Sequence, residues 1–180
     1  LVDLENRCFE IDRLSVRSFR HFLTRTRAPL IVDEVAGVLR GYALVRLHPN
    51  TSLARLYSIA VDPELRGQGI GRALLAAAEA RALQHEATRM RLEVHQNNLA
   101  AQTLYAEAGY RVFAIQPDYY EDRADAVRME KHLAAHLARG LDRVPFYAQT
   151  LEFTCGPACL IMAMRTQDPS IAADRLLELQ

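Results

Sequence analysis

Two stretches of the chain carry side chains whose types and spacing suit chemistry. In the first, Arg66, Gly67, Gln68, Gly69, Ile70, Gly71 and Arg72 follow an apolar run that ends at Val61, with Asp62 and Pro63 between. Glycines at 67, 69 and 71 let backbone N–H groups come close to a ligand. The start of the following helix adds the positive end of its dipole, and Arg66 and Arg72 add charge. This combination suits an anion such as a pyrophosphate. A glycine-rich helix entry that only packs closely fits the same residues. The Walker pattern fails because no Gly-Lys-Ser/Thr follows, and the dinucleotide fingerprint fails for want of a third glycine at the required offset.

The second stretch runs from Arg91 through Leu92, Glu93, Val94 and His95 to Asn98, and on to Tyr105, Gly109 and Tyr110. Leu92 and Val94 share one face of a strand, which sends Glu93 to the other. Glu93 stands near the C-terminal end of that strand, beyond which open α/β sheets bind their ligands. Tyr105, two turns into the next helix, is placed to point back over the same crevice. A carboxylate and a phenol there would form a base and an acid. A solvated carboxylate and a packing ring satisfy the same spacing. His21, His48, His85, His132 and His136 are scattered without the spacing of metal ligands, so no metal is expected.

The elements that must position these residues are read from periodicity and punctuation. Residues 1–10 and 14–24 read as short amphipathic helices. Residues 29–35 and 38–47 read as strands joined by a turn at Gly37. Residues 53–61 form a third strand, stopped by Asp62 and Pro63. Residues 69–85 read as a helix, 88–95 as a strand, and 98–108 as a helix with Gly109 at its C′ position. Residues 110–115 and 126–132 are strands, with a polar loop holding Tyr119 and Tyr120 between them. The last strand shades into residues 133–139, and Gly140 breaks the pattern. This order predicts an α/β fold with a mixed, partly antiparallel sheet and crossover helices. The chain opens at Leu1 and closes at Gln180, both inside apparent helices, and is expected to be a piece of a longer gene product.

Charge and composition narrow the classes. Twenty-two Lys and Arg balance 22 Asp and Glu in a chain of 180 residues, half of them apolar. The length suits one domain with an appendage, and the composition is that of a globular chain rather than a disordered one. Zero net charge argues against a nucleic-acid binder that works by bulk charge. Three cysteines are too few for a disulfide scaffold and suit a reducing compartment. No apolar run nears the ~20 residues of a membrane span, and the opening residues carry no signal-peptide pattern. A cytoplasmic enzyme or binding domain is the expectation, with no nucleic-acid or membrane partner.

Taken together, these stretches resemble the GNAT N-acetyltransferase superfamily. Its helix-entry pattern, Arg/Gln-x-x-Gly-x-Gly/Ala, stands here as Arg66 to Gly71. Within the superfamily the chain looks most like the ribosomal-protein-alanine N-acetyltransferases. The matching segments are I-A-V-D-P-E-L-R-G-Q-G-I-G-R, L-E-V-H-Q-N-N-L-A-A, L-Y-A-E-A-G-Y, and D-Y-Y followed by D-A-V-R-M. They stand in the family's order over residues 1–133. The resemblance implies a GNAT-type sheet flanked by helices, with acetyl-CoA as cosubstrate and a peptide or protein amine, most simply an N-terminal one, as acceptor. It implies that Ile59, Ala60 and Val61 pair with the pantetheine arm. Arg66, Gly67, Gln68, Gly69, Ile70, Gly71 and Arg72 would hold the pyrophosphate, and Asn98 would add a contact. Glu93 would be the general base and Tyr105 the general acid. An α-amine (pKa ~7.7–8.0) or a lysine (~10.4) is not fully neutral at pH 7, so a base is needed. An N–H near Ile59 to Val61 would hold the developing oxyanion. The strand that precedes the first helix in the family is missing here, and His95 stands where the relatives tend to carry Arg. Two other functions fit: acetyl transfer to a small-molecule amine, and acyl-CoA sensing that regulates a fused cysteine peptidase.

Residues 1–139 are assigned to the acetyltransferase domain, and 140–180 to a linker with a short helical, peptidase-like extension. The run Q-T-L-E-F-T-C-G-P-A-C-L-I-M resembles the start of papain-like peptidases of the double-glycine leader-peptidase type. Cys155 matches the nucleophile that opens a helix, where the N-terminus favours a thiolate. Gln149 matches the oxyanion-hole amide. A cysteine nucleophile needs a His base, and the last histidine of the chain is His136. This chain is therefore expected to have no peptidase activity. Cys155 and Cys159 also fit as two small apolar residues on one helix face.

Overall fold

The computed structural model describes residues 1–25 and 28–133. The elements are α1 (Val2–Cys8), α2 (Val16–Arg25), β1 (Leu30–Val35), β2 (Val38–Leu47), β3 (Leu53–Val61), a 3₁₀ turn (Pro63–Leu65), α3 (Ile70–Gln84), β4 (Arg89–His95), α4 (Leu99–Glu107), β5 (Arg111–Gln116) and β6 (Ala126–His132). Their order is the one read from the sequence. The expected helical continuation past Leu133, and Gln149 and Cys155, lie outside the described residues.

The strands form one six-stranded sheet in the order β1-β2-β3-β4-β6-β5. Every pairing is antiparallel except β3 with β4. The β1–β2 hairpin turns on Ala36 (φ 51) and Gly37 (φ 78), both in the left-handed region. That is the type I′ geometry whose twist suits the flanking strands. Asp62 accepts the Glu64 N–H at 3.1 Å and so starts the 3₁₀ turn after β3.

Alternation along β2 divides the core between two layers. Ala43 and Val45 join Leu56, Met90, Leu92, Val94 and the buried faces of α3 and α4. Tyr42 and Leu44 join Ala60 with Leu4 of α1 and Phe19 of α2. The sheet is thus covered by α3 and α4 on one face and by α1 and α2 on the other. Among the described residues, no helix is long and apolar enough to cross a membrane.

Two features of β3 open the middle of the sheet. Between Leu44↔Ser58 and Val45↔Leu56 the register shifts, so Tyr57 is an extra, bulged residue. The parallel pairing with β4 covers only Leu53↔Arg89, Ala54↔Met90 and Arg55↔Arg91. Beyond Arg55 the two strands part, and the β4-facing edge of residues 56–61 has no strand beside it.

The close seat of α3 on the sheet falls on Gly41. A Cβ there would stand 2.8 Å from the Ala60 carbonyl oxygen and 2.8 Å from Leu74 Cδ1. Backbone on one side and a packed helix on the other leave little room to yield. Gly41→Ala is expected to lower stability by about 1–3 kcal/mol, the usual cost of overpacking. The check is the urea midpoint, with an unchanged midpoint contradicting the close fit.

Candidate active site

The glycine loop lies where β3 hands over to α3. Gly67 (φ 80) and Gly69 (φ 81) are in the left-handed region. A Cβ on either would meet nothing within 4 Å, so the space above both is open. Gly69 is also the N-cap of α3, and no side chain caps the helix. Ala73 N–H bonds back to Gly69 O at 3.0 Å. The N–H groups of the first turn before it are left to an outside acceptor. Gly71 differs: a Cβ would rest at 3.5 Å from Leu104 and 3.7 Å from Val61, so its place is helix packing. Ile70 is buried and anchors the helix start. Arg72 pairs with Glu107 of α4 at 2.6 Å on the exposed surface. Open space over two positive-φ glycines beside an uncapped helix end fits an anionic phosphate group.

Ile59, Ala60 and Val61 pair on one side with Ala43, Tyr42 and Gly41 of β2. Their other side faces the gap between β3 and β4. The Val61 carbonyl accepts the Cys8 thiol at 3.3 Å. Asn98 is the N-cap of α4, its Oδ1 accepting the Ala101 N–H at 3.1 Å. The side-chain partner seen for this residue is therefore its own helix.

Glu93 projects from β4 away from α3 and α4 and is largely buried. Arg55 Nε of β3 stands 2.7 Å from its Oε2, close in distance but off the hydrogen-bond direction. Arg128 Nε of β6, the cross-strand partner of Glu93, stands 3.5 Å from Oε1. Arg55 Nη2 also donates to the Tyr119 hydroxyl at 2.6 Å. Phe113, the bulged residue of β5, lies under the guanidiniums of Arg91 and Arg128, 4.7 and 5.0 Å from its ring centre. His95 continues the same face. Its Nδ1 accepts the Asn97 N–H at 3.1 Å, which puts the ring proton on Nε2, 3.1 Å from Asp122 Oδ2. The Tyr120 ring packs on His95, with centroids 4.9 Å apart.

Tyr105 sits on the opposite side of β4, in the core under α3 and α4, with its ring edge-on to Tyr110 at 5.9 Å. Burial alone pushes its phenol well above the ordinary range. It therefore stays protonated and able to donate. No hydrogen bond or ion pair among the described residues joins it to Glu93. The two lie on opposite faces of β4, not on one face as the spacing suggested. Burial also raises the phenol of Tyr120, on the Glu93 side of the sheet.

Sequence reasoning singled out Glu93, Tyr105 and the loop but not Arg55, Arg128 or Phe113. Their only signal is the alternation that puts each on the Glu93 face, which shows only once the strand order is known. Among the described residues, no group of three or more His, Cys, Asp or Glu is gathered as a metal site.

Residues 1–110 match the acetyltransferase (GNAT) family profile, and residues 144–180 match the Peptidase_C39-like family. The chain is 34% identical over 109 residues to a putative ribosomal protein bS18-alanine N-acetyltransferase of Bacillus subtilis, covering 60% of this chain and 71% of that protein. It is 32% identical over 117 residues to the catalytic subunit of the N-terminal acetyltransferase A complex of Arabidopsis thaliana. That match covers 63% of this chain and 61% of that protein, less than two thirds of its length. Among solved structures, the ribosomal-protein-S18-alanine N-acetyltransferase from Escherichia coli superposes with a TM-score of 0.66 at 26% identity, covering 84% of this chain and 90% of that one.

The buried phenols give a pH prediction. Burial is the first cause raising Tyr42, Tyr105 and Tyr110 in the folded chain. The unfolded chain releases those protons near pH ~10. Their stabilising contribution is thus complete below that pH and is lost as pH rises through it towards the folded values. Unfolding midpoints are expected to hold steady up to about pH 9.5 and to drop beyond pH ~10. A tyrosinate absorbance that rises in step with free tyrosine, without unfolding, would contradict the burial.

Proposed function

This chain belongs to the acetyltransferase (GNAT) family, and we propose that it transfers the acetyl group of acetyl-CoA to the amine, most simply the α-amine, of a peptide or protein. The observation that carries this reading is the parting of β3 and β4 beyond Arg55, with the open glycine loop at the end of that gap. A coenzyme with an anionic end and an amide-bearing arm fits a cradle of this kind. The open space over Gly67 and Gly69 and the backbone N–H groups of Ile70 to Arg72 would meet its pyrophosphate, with Arg66 and Arg72 supplying charge and Asn98 a further contact. The free edge of Ile59, Ala60 and Val61 would pair with its arm. When bound, the coenzyme supplies a thioester carbonyl. Glu93, through a water, takes the proton of the incoming ammonium, and the ion pairs to Arg55 and Arg128 hold the carboxylate in place. An N–H of the free β3 edge stabilises charge on the carbonyl oxygen. Tyr105 gives its proton to the departing thiolate.

The similar proteins include enzymes of ribosomal-protein and N-terminal acetylation, which supports a peptide acceptor over a small amine. The two-tyrosine loop on the Glu93 face supports it too. The match of residues 144–180 to a peptidase family supports a second reading, in which acetyl-CoA binding regulates an attached peptidase. Turnover separates the two, because a sensor binds acetyl-CoA without consuming it.

The test is steady-state transfer to a peptide library, read by mass spectrometry. Glu93→Gln keeps the side chain's size but accepts no proton. It is expected to lower kcat by ~10²–10⁴-fold with acetyl-CoA affinity near wild type, and the defect is expected to shrink as rising pH deprotonates the amine unaided. Tyr105→Phe is expected to slow transfer less, because a thiol of pKa ~8.5 is a tolerable leaving group. Gly69→Asp strains a backbone at φ 81 and sets a carboxylate against the anion site, so calorimetry on the folded variant is expected to find much weaker acetyl-CoA binding. A wild-type rate and pH profile for Glu93→Gln would overturn its role, and His95 would be the next base to examine.

A further inference from the structure

We propose that Glu5, buried beneath α1, is a positioning residue that sets the acceptor side of the site by clamping residues 9–15 against the loop that holds Tyr119 and Tyr120; the inference rests on the acetyl-transfer reading. Glu5 is only 1% exposed. One carboxylate oxygen accepts the Leu14 N–H at 2.8 Å, and the other accepts the Tyr42 hydroxyl. Tyr42 is itself fully buried and shares a 2.8 Å hydrogen bond with Ser58, one residue beyond the β3 bulge. Side chains of α1, β2 and β3 thus meet around one carboxylate, and the segment after α1 hangs from it by its backbone. Burial raises the Glu5 carboxyl, while Tyr42, the Leu14 N–H and Arg13 oppose that rise.

The clamped segment reaches the Glu93 side of the sheet. Asp12, at its middle with φ 53, accepts the Glu121 N–H at 3.3 Å. Glu121 follows Tyr119, which is bonded to Arg55, and Tyr120, whose ring packs at a tilt on His95. The charge of Asp12 acts on Tyr120 together with that of Glu93. A continuous path therefore runs from Glu5 through Leu14 and Asp12 to the loop beside Glu93. The glycine loop lies off this path. An internal carboxylate is a costly way to hold a helix end, since such a burial contributes little to stability even when both oxygens are met. The arrangement is suited instead to fixing where the 9–15 segment stands.

Two variants test this in the full chain. Glu5→Gln keeps size and one acceptor oxygen but puts an NH2 group where the second oxygen accepts from Tyr42 or Leu14. Asp12→Gly removes the bridge to Glu121 at an exposed site, and glycine suits the positive φ. Hydrogen exchange is expected to quicken in residues 9–15 and 118–125 of both variants and to stay unchanged in residues 70–84 of α3, on the other face of the sheet. With a peptide that the wild type acetylates, the KM for peptide is expected to rise roughly tenfold, the weight of one buried hydrogen bond left unmet, while kcat and the KM for acetyl-CoA stay near wild type. Unchanged exchange in 118–125, or equal rises in both KM values, would overturn the proposal. A wild-type chain that acetylates no peptide would instead fail the functional reading, and the exchange data would still decide whether Glu5 positions the loop.

Discussion

The bulge at Tyr57 is the constraint on which the site depends. A bulge bends its strand and sharpens the local twist. The parallel ladder to β4 stops at Arg55, two residues before it. Residues 56–61 then keep β2 on one side and gain an open edge on the other. Their N–H and C=O groups on that edge lie against a buried core that includes Leu56 and Ala60. Backbone polar groups in such a setting are costly unless something pairs with them. A regular β3 would have committed that edge to β4, and the glycine loop would then hold an anion with nothing alongside to receive the rest of a ligand.

Register does the same work for charge. Glu93 is held by guanidiniums from the strands on either side, Arg55 and Arg128. A carboxylate that buried is tolerable only with partners of opposite charge and sound geometry. Those partners are set by two independent pairings, Arg55 beside Arg91 and Arg128 opposite Glu93. A slip of one residue in β4 would send Glu93 into the core beneath α3 and bring Leu92 or Val94 to the charged face. The apolar core under the helices therefore guarantees the polar site on the reverse of the same strand.

Local chemistry was legible in the sequence; pairing between distant strands was not. The Gly37 turn, the Asp62-Pro63 stop and the Gly109 helix exit are each decided by a few adjacent residues. β2, β3 and β6 accordingly fall where periodicity put them. The same holds for Gly67 and Gly69, whose positive φ is a property of glycine in a tight loop. Gly71 shows the limit, since its spacing suits a phosphate loop but its surroundings are Leu104 and Val61. Tyr57 gives no local sign of being a bulge, because a bulge exists only relative to the partner strand. Arg55 and Arg128 read as solvated charges on exposed strand faces until the sheet order sets them against Glu93. Glu5 reads as the polar side of an amphipathic helix, and only the Tyr42 hydroxyl beneath it makes it an interior group.

The opposite placement of Glu93 and Tyr105 follows from the same geometry. In a closed sheet, residues on the two faces of one strand cannot serve a single reacting centre, because the ladder lies between them. Where the neighbouring strand departs, no ladder stands between the faces along that edge. A carbonyl carbon held in that gap, as the proposed reaction requires, would present different atoms to the two sides. The incoming nitrogen needs a proton removed, and the departing sulfur needs one supplied. Two groups of opposite task are better kept apart than side by side, since a phenol hydrogen-bonded to a carboxylate would satisfy both and leave neither free for substrate. The proposed acid is accordingly dry and protonated on the helix side, while the proposed base lies beside arginines on the other. The open edge of residues 56–61 follows from where β3 leaves β4, and the opposite placement of Glu93 and Tyr105 follows from alternation along β4.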